Sequence, residues 1–222
     1  MLGEQPIPTA APSSSAPSTN NPPQQEVRET VLHQGHEFQS TGLFEPQFKF
    51  SNTLSELEVM DFKTRGLIPE SANIIVPSDS RISADYYLPG WFAIHAHPFT
   101  IGLEMPFPPL VEPLIKKTGM VPAQFNCSGW QVLMGVERLY AYHDIPLTLC
   151  DLGFQYAMRT CTQCRLLFRS RRISTDLILK AESGKGNPWQ SRFFFVEKSS
   201  LGPWADYIPE LRAGEYSLSL VI

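Results

Sequence analysis

The stretch SGWQVLMGVERLYAYH, residues 128–143, limits most tightly what this chain can become. Its spacing is helical, but Trp130, Val132, Leu133, Val136, Leu139 and Tyr140 surround the axis instead of forming one stripe. A helix that is apolar all round must be covered by other elements. The chain has the means to cover it, since 222 residues with 42% hydrophobic and 11% aromatic side chains suffice for one sizeable core.

Three further segments carry helix signals. In TLSELEVMDFKTRG, Thr53 and Glu56 match a capping box, Leu54, Leu57 and Met60 share a face, and Gly66 suits a left-handed stop, which predicts a helix over 53–65. In PPLVEPLIKKTG, Pro109 suits a first helical position, Leu110, Val111, Leu114 and Ile115 form a stripe, and Lys116 and Lys117 precede a stop at Gly119. Pro113 falls late enough to shorten or distort the first turn. The third segment opens at Thr148, where Asp151 completes a capping pair, and Leu149, Leu152, Tyr156 and Ala157 extend the spacing to about Arg159.

Elsewhere the pattern is extended. Ile74 to Val76 lie between turn formers and suit a brief strand, while PGWFAIHAHPFT reads as a strand or a short helix leading into a turn. After Arg159 the period changes to two, and RLLFRSRR, TDLILKA and SRFFFVEK have the length and content of strands. Three adjacent antiparallel strands are the simplest arrangement. The expected class is α+β: a helical core of about four helices, then a small three-stranded antiparallel sheet, without internal repeats.

Residues 1–26 are almost entirely Pro, Ser, Ala, Thr, Asn and Gln, and the expectation there is a disordered tail. Residues 27–50 read as an irregular linker, 51–200 as the domain, and 201–222 as a C-terminal extension whose ending, SLSLVI, suggests a truncated reading frame. No signal peptide, transit peptide or membrane-spanning run is evident, and four cysteines make no disulfide framework, so the chain reads as soluble and intracellular, nuclear or cytoplasmic.

The chemical candidates reduce to few. Cys161 and Cys164 have the spacing of half a zinc knuckle, but no histidine follows His143, and a redox pair would sit at a helix N-terminus instead of a C-terminus. Structural thiols are the favoured reading. His95 and His97 would share a face if their segment were a strand, but no third ligand is identifiable, and a helix end explains His143. The seven aspartates pick out no catalytic trio, and Gly184-Lys185-Gly186 lacks the rest of a phosphate loop. No catalytic, metal or cofactor residue is assigned, and no small-molecule substrate.

Charge is unevenly distributed. The net charge is −4, yet residues 151–222 hold 10 basic and 7 acidic side chains, a local +3. On a strand over 165–172, Arg165, Leu167, Arg169 and Arg171 face one side and Leu166, Phe168 and Ser170 the other. Arg172, Lys180, Lys185 and Arg192 extend the basic surface, which meets either water or phosphate.

Several segments together resemble a plant transposon-associated family, the putative gypsy-type transposon domain of retroelement-derived reading frames. The resemblance spans roughly residues 55–200 and rests on Pro-Gly-Trp-Phe at Pro89 to Phe92, Gly-Leu-x-x-Pro at Gly102 to Pro106, Pro122 and Gln124 ahead of Trp130 and Leu133, and the strand from Trp189 to Val196. The chain departs from the family at Glu104, where a basic residue is usual, at Cys127 and Ser128, where a Pro-Asn pair is usual, and in having His95, His97 and the cysteine pair. The family has no established catalytic residues. The resemblance therefore implies an element-derived origin and no activity; the expected function beside it is a non-enzymatic structural or interaction protein of Gag-like kind, binding nucleic acid or itself, with a fragment of a transposition enzyme as the alternative.

Overall fold

The computed structural model describes residues 29–41, 51–160, 166–171 and 188–210. In chain order the elements are β1 (Thr30–His33), β2 (His36–Ser40), α1 (Glu56–Thr64), β3 (Ile74–Ile75), β4 (Tyr86–Tyr87), β5 (Trp91–His95), α2 (His97–Thr100), α3 (Val111–Thr118), α4 (Cys127–Tyr142), α5 (Leu149–Gln155), β6 (Tyr156–Thr160), β7 (Leu166–Ser170) and β8 (Phe193–Glu197). Short 3₁₀ turns precede β8 and follow it. The expected tail at 1–26, the expected strand at 175–181 and the loop at 184–186 lie outside the described residues. Among the described residues no helix is long and apolar enough to cross a membrane.

The α+β class holds, with a different strand arrangement. β8 is the middle strand of an antiparallel sheet ordered β3-β8-β5, and β1-β2-β4 form a second sheet. The run Phe193-Phe194-Phe195-Val196 is buried without alternation because both faces of its sheet are covered. Phe194 and Val196 enter the main core with α1, α3 and α4, whereas Phe193 and Phe195 join a smaller core with Val31, Phe38 and Tyr86 from the second sheet. Phe38 meets Phe195 edge to face, ring centroids 5.1 Å apart.

β7 pairs with β6 in a separate two-stranded sheet, which corrects the expected meander. The sequence pattern supplied strand lengths, but β8 finds its partners about a hundred residues upstream, beyond the reach of any local signal. The helix expected to reach Arg159 ends at Gln155, because Tyr156, Met158 and Thr160 also follow a period of two and pair with Ser170, Phe168 and Leu166. Its start is as expected: Thr148 Oγ1 accepts from the Asp151 amide at 3.3 Å, and Asp151 accepts from the Thr148 amide at 2.9 Å.

The linker expected at 27–50 contains the β1-β2 hairpin, whose turn residues Gln34 and Gly35 take φ of 49° and 78°. Both positive angles are what a two-residue hairpin of this hand requires. The capping box of α1 is two residues later than expected, between Ser55 and Glu58. Thr53 bonds instead to Ser191, which ties the entry of α1 to the start of β8. In α3, Pro113 occupies the third helical position, where the missing N–H has no intrahelical partner to lose.

α4 begins at Asn126, whose side chain accepts from the Gly129 amide at 2.6 Å. Trp130, Leu133, Met134 and Val136 are buried, but beyond Glu137 the helix emerges, and Tyr142 is 84% exposed. The helix is wrapped over its first turns only. At the other end of the chain, Leu201, Ala205 and Ile208 are buried in the main core, so the packed unit runs past the expected boundary at residue 200.

Candidate nucleic-acid interface

The β6–β7 register builds the candidate surface. Met158 stands opposite Phe168 and Tyr156 opposite Ser170; Tyr156, Met158 and Phe168 pack against the main core. The alternate positions therefore face outward. These are Ala157 and Arg159 on β6 and Arg169 on β7. Arg159 and Arg169 are exposed, and neither side chain has an ion-pair partner among the described residues.

Arg171 follows at the end of β7. Its amide donates to the Gln155 carbonyl at 2.9 Å and its Nε donates to the Gly153 carbonyl at 2.7 Å, so the guanidinium is seated against the last carbonyls of α5. That is the favourable end of a helix for a cation. The seat holds the end of the hairpin against the helix.

Of the residues expected to make the basic surface, Arg169 lies on the outward face of β7 and Arg171 at its end, against α5. Arg165, Arg172, Lys180 and Lys185 lie outside the described residues. Arg192 precedes β8 and belongs to a different sheet, where its Nη2 pairs with Glu58 Oε1. Glu58 is held below the usual carboxylate range, first by the Ser55 backbone N–H of the capping box and then by the Ser55 hydroxyl and Arg192. Arg159 was not expected on this face, because helical spacing had claimed it. The alternation of Tyr156, Met158 and Thr160 was the available signal.

The remaining candidates resolve structurally. His95 ends β5, buried against the Trp189 ring at 4.8 Å between centroids, whereas His97 opens α2, so the strand period that would align them stops between them. His143 caps the C-terminus of α4. Cys127 is buried in the first turn of α4, Cys150 is exposed in the first turn of α5, and Cys161 and Cys164 lie outside the described residues. Among the described residues no group of three His, Cys, Asp or Glu could hold a metal ion.

The carboxylates have local duties. Asp79 accepts from Arg81 at 2.7 Å, and the Arg81 guanidinium holds it down to about 2. Asp151 caps α5, and the Thr148 hydroxyl and amide keep it below its ordinary value. Glu137 of α4 accepts from the Leu110 amide at 2.6 Å, capping α3 across the helix interface, and burial pushes its carboxyl above the ordinary range.

The segments behind the family resemblance occupy turn and core positions. Pro89-Gly90 turns into β5, Gly102 has φ of 90° beside Arg138, and Trp189 is buried. They support the core and do not contribute to the arginine face. The chain matches no family model, no curated protein and no solved structure.

Proposed function

We propose that this chain is a non-enzymatic interaction protein of the structural kind that retroelements encode, and that the outer face of β6–β7 binds nucleic-acid phosphates. The observation that carries this reading is the pair Arg159 and Arg169, exposed on one face of a hairpin whose other face is anchored in the core. An anchored strand holds its arginines in fixed register, as backbone-positioning contacts to phosphate require. The local +3 of residues 151–222 favours such contacts despite the overall −4. Binding rests on phosphate charge, with little preference among sequences. The element-derived origin rests on the resemblance at Pro89 to Phe92, Gly102 to Pro106 and Trp189 to Val196.

Self-association is a second reading, favoured by the exposed side chains of Tyr142 and Ile145 at the α4–α5 connection and of Phe154 in the last turn of α5. The two readings separate experimentally. Nucleic-acid binding by the full chain over a salt series, with Arg159 and Arg169 replaced by Gln, tests the first. Sedimentation of the Phe154→Ser variant against the parent tests the second.

A further inference from the structure

A cleft of about 620 Å³ runs along the outer edge of β3. Its floor is β3 itself, one wall is α1 through Val59, Met60 and Glu56, and the other is the tip of the β1–β2 hairpin through Gln34 and His36, where Trp91 of β5 and Glu197 of β8 also line it. The two walls belong to opposite faces of the β3-β8-β5 sheet, because α1 packs in the main core and the hairpin in the smaller one. The cleft therefore straddles a sheet edge.

The ladder shows what that edge offers. The Glu197 amide donates to the Asn73 carbonyl at 3.0 Å, and Ile75 stands opposite Phe195. In antiparallel pairing the intervening Ile74 then directs its N–H and C=O away from β8, into the cleft. Among the described residues no strand pairs with this edge, and such an edge accepts another strand. Here the walls permit only one narrow visitor: β3 in a second copy would lie at the bottom of the same cleft, so two such edges cannot meet.

The lining selects the visitor. Glu197, on the hairpin side, and Glu56, on α1, are carboxylates, while the ammonium of Lys63 is turned to the Glu70 and Ala72 carbonyls at 3.0 and 2.7 Å. Beside Glu56 the α1 wall offers Val59 and the half-exposed Met60, whose flexible thioether adapts to varied apolar partners. An added strand would send alternate side chains to the two walls. We propose that the β3 edge captures an extended peptide of alternating apolar and basic residues, apolar side chains toward Met60 and basic ones toward Glu197, as a fourth strand of the sheet. This docking site is independent of the β6–β7 face.

The test uses the full chain and a labelled seven-residue peptide alternating valine and lysine, with an aspartate-for-lysine peptide as the charge control. Fluorescence anisotropy should show saturable binding of the lysine peptide below about 1 mM, with the aspartate peptide at least tenfold weaker. Hydrogen exchange should show the Ile74 amide becoming protected on binding. Ile74→Pro removes the outward donor without removing a bond to β8, and should weaken binding about tenfold. If that variant unfolds, Glu197→Gln, which removes the charge facing the basic positions, should abolish the preference for the lysine peptide. Equal binding of both peptides, binding without protection of Ile74, or no binding at about 1 mM would each overturn the proposal.

Discussion

Arg159 on β6 and Arg169 on β7 share the outward face of their sheet, since Arg159 stands opposite Leu167 and Arg169 opposite Ala157. Diagonal neighbours of like charge repel one another, so the pair gives no stability by itself. An anion lying between them would relieve that repulsion. Replacing both by Gln should therefore leave stability unchanged or slightly raised, within about 0.5 kcal/mol in urea unfolding. A loss above about 2 kcal/mol would mean that the arginines hold the fold.

Arg192 separates the two basic environments. Its pair with Glu58 is half exposed, with side-chain accessibilities of 33% and 43%, so Arg192→Gln should cost at most about 1 kcal/mol. The same substitution should leave the salt dependence of nucleic-acid binding untouched. A reduced salt slope would place Arg192 in the interface.

Gly102 and Arg138 are coupled. A Cβ on Gly102 would overlap Arg138 Nη2, which donates to the Ile101 carbonyl at 2.7 Å, and φ of 90° is itself unfavourable for a side chain. Gly102→Ala should cost about 2 kcal/mol, part from the backbone and part from the displaced hydrogen bond. In an Arg138→Ala background the cost should fall to about 1 kcal/mol, the backbone share alone. Equal costs in both backgrounds would show that Arg138 does not confine the turn.

Glu137 gives a pH signature. Burial raises its carboxyl in the folded protein, so the folded state holds a proton that the unfolded state has released just above the ordinary value of 4.5. Its contribution is complete below that value and declines as pH rises through the raised one. Unfolding of Glu137→Gln, measured across that window, should lack this decline, so the variant gains on the parent as pH rises. A variant that loses ground with rising pH would reverse the assignment.

Much of the helical frame was legible in the sequence, because capping and helical period are local. Thr148 with Asp151, Gly119 after α3 and the apolar α4 segment all declare themselves within a few residues. The pairing of Phe195 with Ala93 and Ile75 is not local, and a triple phenylalanine run says only that both faces are covered. The β1–β2 hairpin escaped notice because its turn is Gln-Gly, where Asn-Gly or Asp-Gly would have been the stronger signal. Half of the candidate face was legible for the same reason. Arg169 lay on an unambiguous strand, whereas Tyr156 to Thr160 satisfies both periods and only its partner β7 decides between them.

The most direct measurement is the binding of the full chain to a DNA duplex over a salt series, for the parent and for Arg159→Gln/Arg169→Gln. If each arginine neutralises one phosphate, the slope of log K against log salt should become shallower by about 1.8 in the double variant. An identical slope in parent and variant, or no salt-dependent binding by the parent at low ionic strength, would contradict a nucleic-acid role for the β6–β7 face.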